Sequence, residues 1–224
     1  MAGLKIHTAQ TDYINSVAEL KAWLKIDGSD DDTALGYIRT AVDSWAQEYC
    51  SRTFCTITYV LFIDSVYEID SWIQEGFYTA PDLRFPRKNI VLPRSPVSSI
   101  THVKYYDDDN DATTWATSNY FLDSASMPSQ FTLTKGANYP TGLRPTNGLE
   151  IKYVAGYGGS SSVPFQVKQA CLHYAAYLNE HRGDLVEGKS VEAPKVATQL
   201  LQPYRVKRIS TNPYRGESRY GLFG

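Results

Sequence analysis

Two helix-patterned stretches, at roughly residues 16–53 and 164–183, are separated by about a hundred residues of short strand and turn signals. Each helical stretch carries an apolar stripe that needs a partner, and the intervening β-rich segment separates the two in sequence only. The chain is therefore expected to bring its helices together and carry the middle as an insert. This layout constrains the fold more than any single motif.

The first helix opens on Ser16-Val17-Ala18-Glu19, a capping box in which the Ser hydroxyl accepts an orphan N–H and the Glu reaches back. Val17, Leu20 and Leu24 follow as a short stripe that Asp27-Gly28 ends. Ser29-Asp30-Asp31-Asp32 offers cap oxygens and places carboxylates at the positive end of a second helix dipole. Leu35, Ile38, Ala41, Val42, Trp45, Ala46 and Tyr49 then recur at helical spacing. The third helix begins at Val163-Pro164, buries Val167, Ala170, Cys171, Tyr174, Ala175 and Leu178, and is expected to end with His181-Arg182 and a Gly183 cap. Ile38, Val42 and Trp45 should meet Val167, Cys171 and Tyr174.

Strand signals rich in β-branched and aromatic residues lie at 56–63, 89–92, 100–106, 120–122, 131–133 and 149–154. The turns between them are too short for parallel crossovers, so antiparallel pairing is expected. Gly156, Gly158-Gly159 and Ser160-Ser161-Ser162 read as a flexible link back to the helices. Beyond Gly183 apolar density falls, apart from a short helical pattern at 195–201. The expected fold is α+β: a small helical bundle (helices near 16–25, 31–52 and 164–182, within 1–55 and 160–183), an inserted antiparallel β-rich subdomain (56–159), and an extended C-terminal arm (184–224).

No catalytic constellation accompanies this layout. His7, His102, His173 and His181 are scattered, and the last two lie eight residues apart on one helix, too far to share a metal. Asp107-Asp108-Asp109-Asn110-Asp111 lacks the alternating ligands, central Gly and distal Glu of an EF-hand loop. A solvated turn is the favoured reading there, with a weak cation site as the alternative. Gly156-Tyr157-Gly158-Gly159 precedes a helix, but no Lys-Ser/Thr pair follows and Pro164 has no N–H for a phosphate. Neither a catalytic residue, a cofactor site nor a metal site is assigned.

A formal net charge of −2 is too small to imply wholesale DNA binding. The 17 Tyr and 4 Trp suit both strand faces and interfaces. No run of about eighteen apolar residues marks a membrane span. The opening residues lack a signal-peptide pattern, and three scattered cysteines do not make a disulfide framework, so assembly in a reducing cytoplasm is expected.

Several segments, in order, resemble the head-tail connector (adaptor) proteins of long-tailed bacteriophages and related gene-transfer particles. They are Leu20-Lys21-Ala22-Trp23-Leu24-Lys25-Ile26, Tyr37-Ile38-Arg39-Thr40-Ala41, Glu48-Tyr49-Cys50-Ser51-Arg52, Leu92-Pro93-Arg94-Ser95-Pro96-Val97 and Val103-Lys104-Tyr105-Tyr106-Asp107. Ala155-Gly156-Tyr157-Gly158, Lys168-Gln169-Ala170 and Tyr177-Leu178-Asn179-Glu180-His181-Arg182 complete the set, which spans about 17–183. The resemblance implies a structural, non-enzymatic subunit at the virion head-tail junction. Its self-assembled ring, usually of twelve, would sit beneath the portal protein, with helices side by side. A tail-completion or stopper protein would attach below, and DNA would pass through the channel without sequence specificity.

The resemblance further implies that a C-terminal arm reaches the portal, although the tail beyond Gly183 carries no matched segment. Tyr204, Arg205, Lys207, Arg208, Tyr214, Arg215, Arg219, Tyr220 and Phe223 are expected as its anchors, because Arg and aromatic side chains carry much of the binding energy at interfaces. Contact of the arginines to DNA is the other reading of the tail. The alternative is a carbohydrate- or protein-binding module that uses the aromatic β-rich insert.

Overall fold

The structure is a computed structural model that describes residues 2–64, 89–181 and 193–206 of the 224. Eight strands and four helices occupy these residues, in two packed units. The fold is α+β, as the residue pattern suggests.

Strand β1 is Ala2–Thr8, and the capping box then starts α1, Val17–Leu24. Ser16 Oγ accepts the Glu19 N–H and Glu19 Oε2 accepts the Ser16 N–H, as the motif predicts. Helix α2 runs Asp32–Cys50. The acidic run before it acts partly through its backbone, since the Asp32 N–H donates to Ser29 O. Lys21 Nζ lies 2.8 Å from Asp32 Oδ1 and also donates to Gly28 O, which ties α1 to the start of α2. Apolar spacing alone misassigns part of the buried face of α2: Ala41 is exposed, while Asp43 and Gln47 are buried.

Six further strands follow: β2 Ile57–Ile63, β3 Asn89–Val91, β4 Val97–Tyr106, β5 Ala112–Thr114, β6 Tyr120–Asp123 and β7 Gln130–Leu133. Strand β8, Leu149–Ala155, completes the set. All pairings are antiparallel, in a five-stranded sheet ordered β1-β2-β8-β4-β5 and a three-stranded sheet ordered β3-β7-β6. Alternation, strict along β8 and broken along β2 only by buried Val60, sends Ile57, Tyr59, Leu61 and Ile63, and Leu149, Ile151, Tyr153 and Ala155, to one face. That face joins Ile90, Tyr120, Phe131 and Leu133 of the smaller sheet, with Trp115 and Tyr139, in one core.

Strands β1 and β5 lie outside the six strand segments expected. The signal for β1 was present in the alternation Leu4-Lys5-Ile6-His7-Thr8, within a segment assigned to the helical core.

Helix α3 is Phe165–Glu180, one residue later than its expected start because Pro164 is the N-cap, in extended conformation. His181 is its C-cap. The expected Gly183 cap lies outside the described residues. The stripes meet as expected: Val42, Val167 and Cys171 are buried together, with Ile38, Trp45 and Tyr174 half-buried against them. The Trp45 and Tyr174 rings are 4.5 Å apart.

Helix α4, Lys195–Leu201, changes the reading of the arm. Ala197 and Leu201 are fully buried in the helical core, so residues 193–206 are part of that core and not extended chain. Beyond α4, the Val206 N–H donates to Cys50 O at the end of α2.

The expected flexible link at 156–162 is instead a locked joint. Gly156 and Gly158 take φ of +118° and +122°, and a Cβ on Gly156 would sit 2.6 Å from Cys55 O. The Gly156 N–H donates to Pro96 O, the Tyr157 N–H to Phe54 O and the Thr56 N–H to Gly158 O. The crossing from α2 to β2 and the crossing from β8 to α3 are thereby bonded to each other.

Candidate assembly surfaces

Among the described residues, the three cysteines are buried and His102, His173 and His181 make side-chain contacts within the fold. Burial pushes the Cys50 thiol up to about 11 and the Cys55 thiol up to about 12, with Asp43 and Asp12 adding to the latter. Cys171, deeper still, is raised well above the usual thiol range. None of the three is a thiolate at neutral pH. His102 Nε2 is 3.0 Å from Glu150 Oε1, whose other oxygen accepts the Tyr106 hydroxyl at 2.6 Å. His173 meets Trp23 edge-on, and His181 stacks on Tyr177. No group of three or more His, Cys, Asp or Glu among the described residues could hold a metal ion.

The acidic turn 107–111 joins β4 to β5. Asp107 Oδ1 accepts the N–H groups of Asp109 and Asp111, an Asx turn that directs this carboxylate onto its own backbone. Asp108, Asp109 and Asp111 are exposed.

The aromatic residues of the insert are mostly core. Trp115 is buried among Tyr120, Phe131 and Tyr139, and Tyr59 and Tyr153 are buried beside them. A module that binds through an aromatic insert would need these rings at the surface. Trp72 lies outside the described residues. The aromatic side chains that are exposed lie chiefly on helices: Tyr37 on α2 at 74%, Phe165 on α3 at 76% and Trp23 on α1 at 40%, together with Phe121 on β6. Sequence reading missed this set because Trp23 and Tyr37 sit inside segments whose periodicity marks helix, not exposure.

Of the nine arm residues singled out, Tyr204 and Arg205 are described, and both turn back on the helical core. The Tyr204 hydroxyl donates to Gln166 Oε1 at 3.1 Å and its ring meets Phe54 edge-on. The Arg205 guanidinium lies 5.2 Å from the centre of the Tyr49 ring. Lys207, Arg208, Tyr214, Arg215, Arg219, Tyr220 and Phe223 lie outside the described residues.

One buried carboxylate is notable. Asp43 Oδ2 accepts the Ile14 N–H at 2.9 Å, and burial raises its pKa to about 7 against the opposing pull of that bond, Arg39 and Gln10. Ser160 Oγ donates to Ile14 O, and Asn15 Nδ2 to Lys168 O. The segment linking β1 to α1 is thus pinned to α2 and α3 by polar bonds.

Neither a protein-family model nor a curated protein matches the chain. Solved structures do. A chain in the neck of an empty GTA particle computed with C6 symmetry aligns at TM-score 0.68 and 22% identity, over 92% of this chain and 97% of that one. A chain in the virion of a native gene transfer agent (GTA) particle aligns at 0.65 and 22%, over 92% and 96%. A chain in the neck of a native GTA particle computed with C12 symmetry aligns at 0.65 and 23%, over 92% and 97%. The chain therefore has, over nearly its whole length, the fold of these chains from gene transfer agent particles.

Proposed function

We propose that this protein is a structural head-tail connector: a subunit of a cyclic ring that sits beneath a portal at a virion head-tail junction. A tail-completion or stopper protein docks below it, and DNA passes through its centre. The observation that carries the reading is the near-complete overlap with chains from necks treated with C6 and C12 symmetry. A cyclic array needs surfaces that another copy can cover, and exposed Tyr37, Phe165 and Trp23 supply such area. In this reading the arm begins after Val206, whose bond to Cys50 O anchors its base, and residues 207–224 contact the portal. A ring of twelve is the reading that the resemblance and the C12 symmetry of one neck support.

Native mass spectrometry of the purified chain, alone and mixed with the portal ring of its own particle, tests this. A single closed oligomer in either sample supports the reading, and a monomer in both overturns it. Truncation after Val206 should leave the fold intact and abolish portal docking. Unchanged docking removes the arm from the mechanism.

A further inference from the structure

Strand β1 has a partner on one side only. It pairs with β2, and no described strand pairs with its outer edge. Residues 3–8 are all exposed. Leu4 and Ile6 stand opposite Leu61 and Tyr59, on the face that the smaller sheet covers further in, yet they are 38% and 54% exposed. An open edge with apolar side chains is a docking strand or an aggregation hazard.

Its occupant follows from symmetry and charge. Resting on the ring reading above, we infer that β1 of one copy docks against the β4–β5 hairpin edge of the next. Pairing of β1 with another β1 is isologous and closes at two copies, whereas cyclic rings repeat a contact between two different surfaces. β1 and β5 are the two opposite edges of one sheet, so head-to-tail repetition brings them together. Their charges are complementary. The β1 edge carries Lys5, with the Lys152 ammonium beside it donating to His7 Nε2 at 3.0 Å, whereas the hairpin exposes Asp108, Asp109 and Asp111.

The register sets the stagger of the contact. Lys5 is level with Val60, Lys152 and His102, so the hairpin beginning at Asp107 projects about five residues beyond it. Across five strands that is about one residue per strand, the stagger of closed barrels whose strands tilt about 36° to the axis.

A carbodiimide couples an ammonium to a carboxylate only where the two touch. Applied to the assembled ring built from mixed heavy- and light-isotope copies, it should yield mixed-label peptides joining Lys5 to Asp108, Asp109 or Asp111. A Lys5→Glu/His7→Glu variant and an Asp108→Lys/Asp109→Lys variant should each weaken ring assembly about tenfold or more. Their equimolar mixture should recover closed rings in which the two variants alternate, because each then meets the opposite charge of the other. Placing all four changes on one chain should restore assembly to within about threefold of wild type, because every contact then regains opposite charges. All sites are exposed, so melting temperatures should match wild type. A ring that forms without these cross-links and tolerates both reversals overturns this contact and leaves the ring reading standing. Absence of any ring from the wild-type chain, with or without portal, overturns both.

Discussion

In the sheet unit, buried residues are almost all apolar, and the buried polar side chains Ser95 and Ser129 serve each other: Ser95 Oγ accepts the Ser129 N–H and donates to Leu92 O. In the helical unit and its joint, Asn15, Asp43, Gln47, Arg52 and Thr53 are buried as well. The contrast has a cause. Strands satisfy their backbone through the ladder, so alternation alone seats them. The helical unit must also hold irregular chain: the segment before α1, the turn after α2 and the joint before α3. Asp43 and Asn15 meet backbone groups, at the Ile14 N–H and Lys168 O. Gln47, Arg52 and Thr53 bond the side chains of Gln10, Tyr157 and Tyr59 and fix the irregular segments to their neighbours.

The largest expected effect tests whether the two units stand or fall together. Gly156→Val places a Cβ against Cys55 O at positive φ, and should cost more than about 4 kcal/mol in urea unfolding. An unchanged midpoint would mean the joint can shift and the units are independent. Next come the cores themselves. Phe131→Ala should cost about 3–5 kcal/mol and Leu201→Ala about 2–4, both side chains being fully buried. A loss under about 1 kcal/mol at Leu201 would return α4 to the arm.

Asp43 separates the units by pH. Its pKa is raised from 3.8 to about 7 on folding, so the folded state holds the proton more tightly. The stabilisation is complete below about pH 4 and is lost as pH rises through about 7. Relative to wild type, Asp43→Asn should therefore gain on the order of 4 kcal/mol between pH 4 and pH 8. A difference between the two proteins that is flat with pH would show that Asp43 is ionised throughout. Ser129→Ala, in the sheet unit, should show no such slope. The smallest effect concerns the end of α2, where Ser51 takes φ of +52° as the C-cap. Ser51→Gly relieves that conformation and should raise stability by up to about 1 kcal/mol in thermal melts. A loss would mean that the Ser side chain contributes more than the backbone strain costs.

Six of eight strands and all four helices were legible because each follows a period that burial imposes, 2.0 along β2 and β8 and 3.6 along α2 and α3. β1 was not read as a strand although Leu4-Lys5-Ile6-His7-Thr8 alternates, because so short a run with neither face buried does not separate itself from the helical segment that follows. The surfaces were the least legible part. Of the arm residues named, Tyr204 and Arg205 contact the subunit's own core, while exposed Tyr37 and Phe165 read simply as helix.

What the sequence alone determined is therefore local and periodic: the capping box at Ser16, the apolar stripes of α2 and α3, and the alternation that seats the sheet. The tertiary structure decided everything that depends on two distant segments arriving together. It made Asp43 an anchor for Ile14, turned Gly156 from a hinge residue into the tightest point of the joint, and drew Leu201 into a core that its low-apolar surroundings did not suggest. The reason is physical: a period records which face of one element is buried, whereas close approach and desolvation depend on what lies opposite.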